Sequence, residues 1–216
     1  MQNNITPSQR ILETGVMAAA RIPSAKAAIE VTEALAKGGV KAIEFSMNMP
    51  DALEAIAAVA DKNYEHISVG VGTVLDAETA GAAIKAGAEF IVSPTINEGV
   101  AKMAHRYGKP FIPGALTPNE ILRAFELGAA IVKVFPGGNL GAGYIRALLA
   151  PFKYIPLMPD GGVTLENAEE LISAGAAALG VGSCLVDVAA IEAGNYGKLT
   201  DLAKGFTAAV KSGRGK

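Results

Sequence analysis

The chain has 216 residues, a length that fits one α/β-barrel-sized domain, and half of them are hydrophobic, enough for one large core. A formal net charge of -2, no Trp and no block of like charge leave no basic face for a nucleic-acid backbone, so small molecules are the expected partners. Cys184 is the only cysteine, which excludes an intrachain disulfide; beside Leu185 and Val186 it reads as a small buried hydrophobe. Residues 1–6 have neither the basic region nor the apolar core of a signal peptide, and no apolar run approaches membrane-spanning length. A cytoplasmic chain with no membrane partner is expected.

Thr6 and Pro7 open a short first helix, Pro7 to Thr14, as N-cap and first helical residue, and Gly15 ends it. From there a unit of apolar strand, Gly or Thr turn and Ala-rich helix recurs. The strands begin near Val16, Val40, Ile67, Ala88, Phe111, Ala130, Tyr154 and Ala177, 19 to 27 residues apart, as one strand plus one crossover helix requires. Helix ends are marked by Gly38-Gly39, Gly87, Gly108, Gly128 and Gly175, and helix starts by Ser24, Asp76, Thr117-Pro118 and Thr164. Lys211 to Lys216 reads as a frayed basic tail. Eight such units with even spacing, and with Glu44, Thr73, Ser93, Lys133, Asp160 and Ser183 at strand C-termini, predict a single (β/α)8 TIM barrel with a short N-terminal helix, spanning 1–216. An open doubly wound sheet would concentrate its chemistry at one switch point, and no Gly-x-Gly-x-x-Gly follows the first strand.

The sixth strand carries the feature around which the rest is organised. In Ala129-Ala130-Ile131-Val132-Lys133-Val134-Phe135, period-two alternation puts Lys133 on the face of Ile131, which is inward. A lysine stripped of water either finds a carboxylate or becomes a neutral, nucleophilic amine; a paired or snorkelling structural lysine is the alternative. Glu44, on the face of Ala42, is the other ionisable residue in an otherwise apolar strand, and a shared barrel mouth lets the two shift each other. Gly70-Val71-Gly72-Thr73 offers a hydroxyl where small residues let a ligand approach. Asp160-Gly161-Gly162-Val163 and Gly180-Val181-Gly182-Ser183 occupy the common phosphate site of such barrels. His66 and His105, the only histidines, lie away from the mouth without ligand spacing, so no metal is expected, and no Gly-x-Ser-x-Gly elbow is present. A buried amine, a carboxylate, a hydroxyl and an anion site suit imine chemistry.

These residues resemble a known family. Glu44-Phe45-Ser46-Met47-Asn48, Gly70 to Leu75, Ser93-Pro94, Pro113-Gly114, Lys133-Val134-Phe135-Pro136, Gly161-Gly162-Val163 and Gly182-Ser183 are similar to motifs of the class I aldolases of 2-keto-3-deoxy-6-phosphogluconate and 4-hydroxy-2-oxoglutarate. The resemblance implies a homotrimeric (β/α)8 barrel that cleaves a phosphorylated 2-keto-3-deoxy sugar acid to pyruvate and glyceraldehyde 3-phosphate without a metal or other cofactor. It implies Lys133 as Schiff-base residue and Glu44 as general acid and base. Thr73 would help to hold the pyruvate carboxylate and Gly161, Gly162, Gly182 and Ser183 the phosphate, with Pro94 and Phe135 completing the substrate-binding set. Asn48 stands where the gluconate-type pattern has Arg; together with Arg21 near the end of strand one it resembles the 2-dehydro-3-deoxy-6-phosphogalactonate subgroup. Asp160, before the Gly pair, replaces the Thr or Val of those two patterns, and an acid beside a phosphate site repels the ligand unless it turns toward a sugar hydroxyl. A phosphosugar isomerase or decarboxylase on the same barrel, insensitive to borohydride, is one alternative; a non-catalytic barrel that binds an acidic metabolite is another.

Overall fold

The computed structural model describes residues 5–215, so the signal-peptide reading of residues 1–4 and the last residue of the basic tail lie outside it. The first helix, α1 (Pro7–Thr14), forms as its caps dictate. The Thr6 hydroxyl accepts from the Gln9 N–H, the Gln9 side chain accepts from the Thr6 N–H, and Gly15 closes the helix at φ 72°.

Parallel strands then alternate with helices. Strands β1 (Val16–Ala20), β2 (Ala42–Ser46), β3 (Ser68–Gly72), β4 (Phe90–Val92), β5 (Phe111–Ile112) and β9 (Leu179–Val181) make a six-stranded sheet in the order β5-β4-β3-β2-β1-β9. Strands β6 (Gly114–Ala115), β7 (Val132–Val134) and β8 (Leu157–Pro159) make a second sheet in the order β6-β7-β8. The fifth predicted strand is thus two pieces, because Pro113 between β5 and β6 has no N–H to give a ladder. Its carbonyl still accepts from Lys133 N at 2.9 Å, and on the other side of the second sheet Ala177 N donates to Leu157 O at 2.8 Å. Ordered strand begins up to three residues after the predicted starts, most at β8, where Phe152 to Ile155 form a turn closed by Ile155 N donating to Phe152 O at 3.0 Å.

Side chains alternate as the pattern requires. Val16, Ile43, Val71, Ile91, Val132 and Leu179 face the helices, whereas Met17, Phe90, Ile112, Ile131 and Met158 meet in one interior cluster that draws on both sheets. Ile11 of α1 inserts into that cluster, fully buried, so the N-terminal helix closes the end of the interior opposite the strand C-termini. Gly39, Gly87, Gly108, Gly128 and Gly175, the predicted helix ends, all have positive φ. Asp76 caps α4 (Ala77–Lys85), Thr117 caps α6 (Pro118–Glu126), and Asn167 accepts from Thr164 N at the start of α8 (Leu165–Ser173). Ser24 instead caps a single 3-10 turn, Ala25–Ala27, ahead of α2 (Ala28–Lys37).

The C-terminal reading needs correction. The last helix, α10 (Tyr196–Gly213), includes Lys211, and Arg214 is docked: its guanidinium donates to the carbonyls of Leu12, Glu13 and Ala177 at 2.7, 2.9 and 2.9 Å. These are carbonyls left free at the end of α1 and at the entry to β9, so the tail seals a seam that composition alone does not reveal.

Candidate active site

Lys133, central in β7, is 7% exposed and points inward with Ile131, as its position in the strand requires. Asp160, directly after β8, is 6% exposed, and its Oδ2 lies 2.6 Å from Lys133 Nζ. The contact is an ion pair without the angles of a regular hydrogen bond. Asp160 has this room because β9 carries Gly180 opposite; a Cβ there would sit 2.8 Å from the same oxygen. Asp160 therefore turns toward the lysine, an orientation that its place before the Gly pair did not reveal.

Glu44, on β2, is 3% exposed and lies over Gly72 of β3, where a Cβ would come within 2.6 Å of the carboxyl carbon. Its Oε2 has no hydrogen-bond partner. Burial pushes this carboxyl up to about 7; Lys133 opposes the shift, Asp160 adds to it and Arg21 opposes it. For Lys133 burial disfavours the ammonium, but Glu44 and Asp160 outweigh burial and raise its pKa above the ordinary lysine value. The resting lysine is therefore a cation between two acids, the paired one of the two states open to a buried lysine. Gly72→Ala is expected to displace the Glu44 carboxyl and cut turnover by about 10²-fold while leaving the melting temperature nearly unchanged, which steady-state rates and thermal unfolding together measure.

A cavity of about 400 Å³ opens above this pair at the strand C-termini. Arg21, Thr73, Pro94 and Phe135 line it together with Glu44, Lys133 and Asp160. The Phe135 ring centroid is 5.0 Å from Lys133 Nζ. Thr73 adopts φ 58°, a left-handed conformation unusual for a β-branched residue, and its hydroxyl meets that of Ser46 at 2.6 Å. Ser46 also donates to Asn48 Oδ1 at 2.7 Å, so Asn48, which is exposed and outside the cavity wall, reaches the site only through Ser46 and Thr73.

The remaining wall is Ala19 and the run of Gly161, Gly162, Val163, Gly182, Ser183 and Cys184. Gly161 and Gly162 have φ 75° and 86°, which an L side chain rarely adopts. Their carbonyls are occupied, by Asn139 N at 3.1 Å and by Asn167 Nδ2 at 2.8 Å, whereas the N–H groups of Gly161, Gly162, Ser183 and Cys184 have no partner among the described residues. Cys184 is exposed in this wall, contrary to the buried hydrophobe expected from its neighbours. His66 lies exposed beside Glu65, His105 lies in the last turn of α5 (Glu98–Arg106), and neither lines the cavity.

Sequence reasoning quoted Ser46, Gly72 and Gly180 within its motifs but did not assign them these roles. Strand parity carried the signal: Ser46 shares the inward face of Glu44, and inward glycines on β3 and β9 open the slots that two buried carboxylates fill.

The sequence profile of KDPG and KHG aldolases matches residues 8–202. The chain belongs to the KDPG and KHG aldolase family. It is 33% identical over 206 residues to the KHG/KDPG aldolase of Escherichia coli strain K12, covering 94% of this chain and 96% of that one. It is 37% identical over 153 residues to the 2-dehydro-3-deoxy-6-phosphogalactonate aldolase of the same organism, covering 70% and 75%. Among solved structures it superposes on KDPG aldolase from Legionella pneumophila, with pyruvate captured at low pH as a covalent carbinolamine intermediate. The TM-score is 0.84 at 25% identity, covering 92% of this chain and 97% of that one. Aldolase chemistry needs a carbonyl activated as an electron sink, and a lysine buried between two acids in a closed-ended cavity is a group able to provide it.

Proposed function

We propose that this chain cleaves 2-keto-3-deoxy-6-phosphogluconate, or a close relative, to pyruvate and glyceraldehyde 3-phosphate, and 4-hydroxy-2-oxoglutarate to pyruvate and glyoxylate, through an imine on Lys133. The observation that carries this reading is the Lys133 amine itself, buried in a cavity with Glu44 and Asp160. Its nitrogen forms the imine with the C2 ketone, and the cationic iminium accepts the electron pair released when the C3–C4 bond breaks. Glu44, poised near neutrality, removes the C4 hydroxyl proton through a bridging water and later protonates C3 of the pyruvate enamine. Thr73 and Arg21 hold the carboxylate, and Pro94 and Phe135 enclose the keto acid. The free N–H groups at Gly161, Gly162 and Ser183, with Gly182 leaving space, receive the phosphate.

The same reading takes the two sheets as one closed (β/α)8 barrel and a single domain, supported by the bonds across Pro113 and from Ala177 to Leu157. It includes a homotrimer in the cytoplasm. Exposed Leu122, Phe125 and Tyr154, the last two edge to face at 5.5 Å, offer apolar surface of the kind subunits cover, and no helix among the described residues is long and apolar enough to cross a membrane. A galactonate-type preference is the second reading, favoured by Arg21 in the cavity wall and by Asn48 in place of Arg. Pyruvate release from the phosphogluconate-derived substrate, its galactonate epimer and 4-hydroxy-2-oxoglutarate, measured side by side, tests the proposal. Release from none of the three contradicts it, and a preference for the galactonate epimer selects the second reading.

A further inference from the structure

We propose that Asp160 is a second acid–base catalyst, which takes a proton from Lys133 as the amine attacks the substrate ketone and returns it to the oxygen that leaves as water. The inference rests on the imine reading above and assigns the step that reading leaves open. An ammonium cannot attack a carbonyl, and the electrostatics of the cavity keep Lys133 an ammonium at rest. A base must therefore reach Nζ directly. Asp160 Oδ2 is 2.6 Å away, within the range of direct proton transfer, and among the described residues no other carboxylate lies within 4.0 Å of that nitrogen.

The carboxylate is also rigidly placed. Asp160 N donates to Val134 O at 3.0 Å and Gly137 N donates to Asp160 O at 2.8 Å, so the backbone of this residue is tied to both ends of the turn that follows Lys133. A short side chain on a strand end, seated in the slot that Gly180 leaves, has little freedom to lose at each turnover. Glu44 lies across the cavity over Gly72, which divides the labour: Asp160 serves the nitrogen and the C2 oxygen, Glu44 the C3–C4 bond.

The step balances. The ammonium gives one proton to Asp160, and the amine lone pair forms the N–C2 bond while the carbonyl π pair moves to oxygen. A second proton passes from nitrogen to that oxygen to give the carbinolamine. Asp160 then protonates the hydroxyl, the C2–O bond breaks to release water, and the nitrogen lone pair closes the iminium. Of the three protons of the ammonium, two leave in the water and one stays on the iminium, so the cation is conserved and Asp160 ends ionised as it began. Arg21 and Cys184 also face the cavity, but neither lies in the line between Nζ and Oδ2.

The test is the rate at which pyruvate plus borohydride captures Lys133 in single-turnover trapping, for the intact chain and for D160N and D160A. D160N is expected to slow trapping by about 10²-fold. Added formate is expected to restore D160A in proportion to its concentration, a rescue that a merely structural ion pair would not show. E44Q keeps the Asp160 carboxylate beside Nζ, so it should still form the borohydride adduct at a measurable rate while losing exchange of the pyruvate methyl protons with solvent. Trapping by D160N within about twofold of the unmodified chain, or no response of D160A to formate, overturns the role of Asp160. Failure of the unmodified chain to form any adduct at Lys133 overturns the imine reading itself, and the two failures are thereby distinguished.

Discussion

Lys133→Ala is expected to lower aldol cleavage by about 10⁴-fold or more and to abolish borohydride capture of pyruvate. Among the described residues Lys133 is the only primary amine in the cavity wall, and the delocalised guanidinium of Arg21, the other cation there, cannot act as a nucleophile. No neighbouring side chain can therefore take over the covalent step. The substitution also removes the charge that favours ionised Glu44 and leaves Arg21 as the one cation that lines the cavity with Glu44 and Asp160 among the described residues. The carboxyl of Glu44 is expected to rise further above 7 and to enter the variant protonated, so that the fold survives while the chemistry is lost. Pyruvate release, the adduct and thermal unfolding of the same preparation measure all three points.

Glu44→Gln is expected to reduce turnover by about 10² to 10⁴-fold and to leave imine formation measurable, because the amide fills the same volume over Gly72 but neither takes nor gives the C4 and C3 protons. Its second effect is on stability. The folded-state pKa of Glu44 is raised from 4.5 to about 7, so between those values the folded chain binds more protons than the unfolded one. The stability of the protonated state is fully present below about 4.5 and is lost as pH rises through about 7. A shift of this size corresponds to roughly 3 kcal/mol, at 1.36 kcal/mol for each pKa unit. Glutamine never ionises, so the variant should gain stability relative to the unmodified chain as pH goes from 5 to 8. Denaturant unfolding at both pH values measures it; an equal difference at the two would contradict the buried, strained carboxyl.

What the sequence reveals of the fold follows from its punctuation. Gly15, Gly39, Gly87, Gly108, Gly128 and Gly175 sit where only a positive φ can turn a helix back into a strand, and that requirement is local enough to read from residue type. The inward direction of Lys133 is local in the same way, since Ile131 two residues earlier and Val132 and Val134 on the opposite face settle the alternation. The split of the fifth strand at Pro113 is local as well, although the regular spacing of the units concealed it.

The charge state of the site is not local. Whether a buried lysine is neutral or paired depends on distances across the mouth, and Asp160 reaches Lys133 only because Gly180, twenty residues on, leaves a slot. Cys184 is exposed because the chain beyond β9 turns outward along the cavity wall, which its apolar neighbours Leu185 and Val186 disguise by being buried themselves. Arg214 docks against carbonyls of residues far apart in sequence, contacts that exist only once α1 and β9 are side by side.

The most direct measurement of the central claim is reduction of the unmodified chain with borohydride in the presence of pyruvate, followed by peptide mass analysis. The account predicts one adduct per chain, on the peptide that contains Lys133 and on that residue. A reduced chain with no adduct, or with the adduct on another lysine, would contradict it.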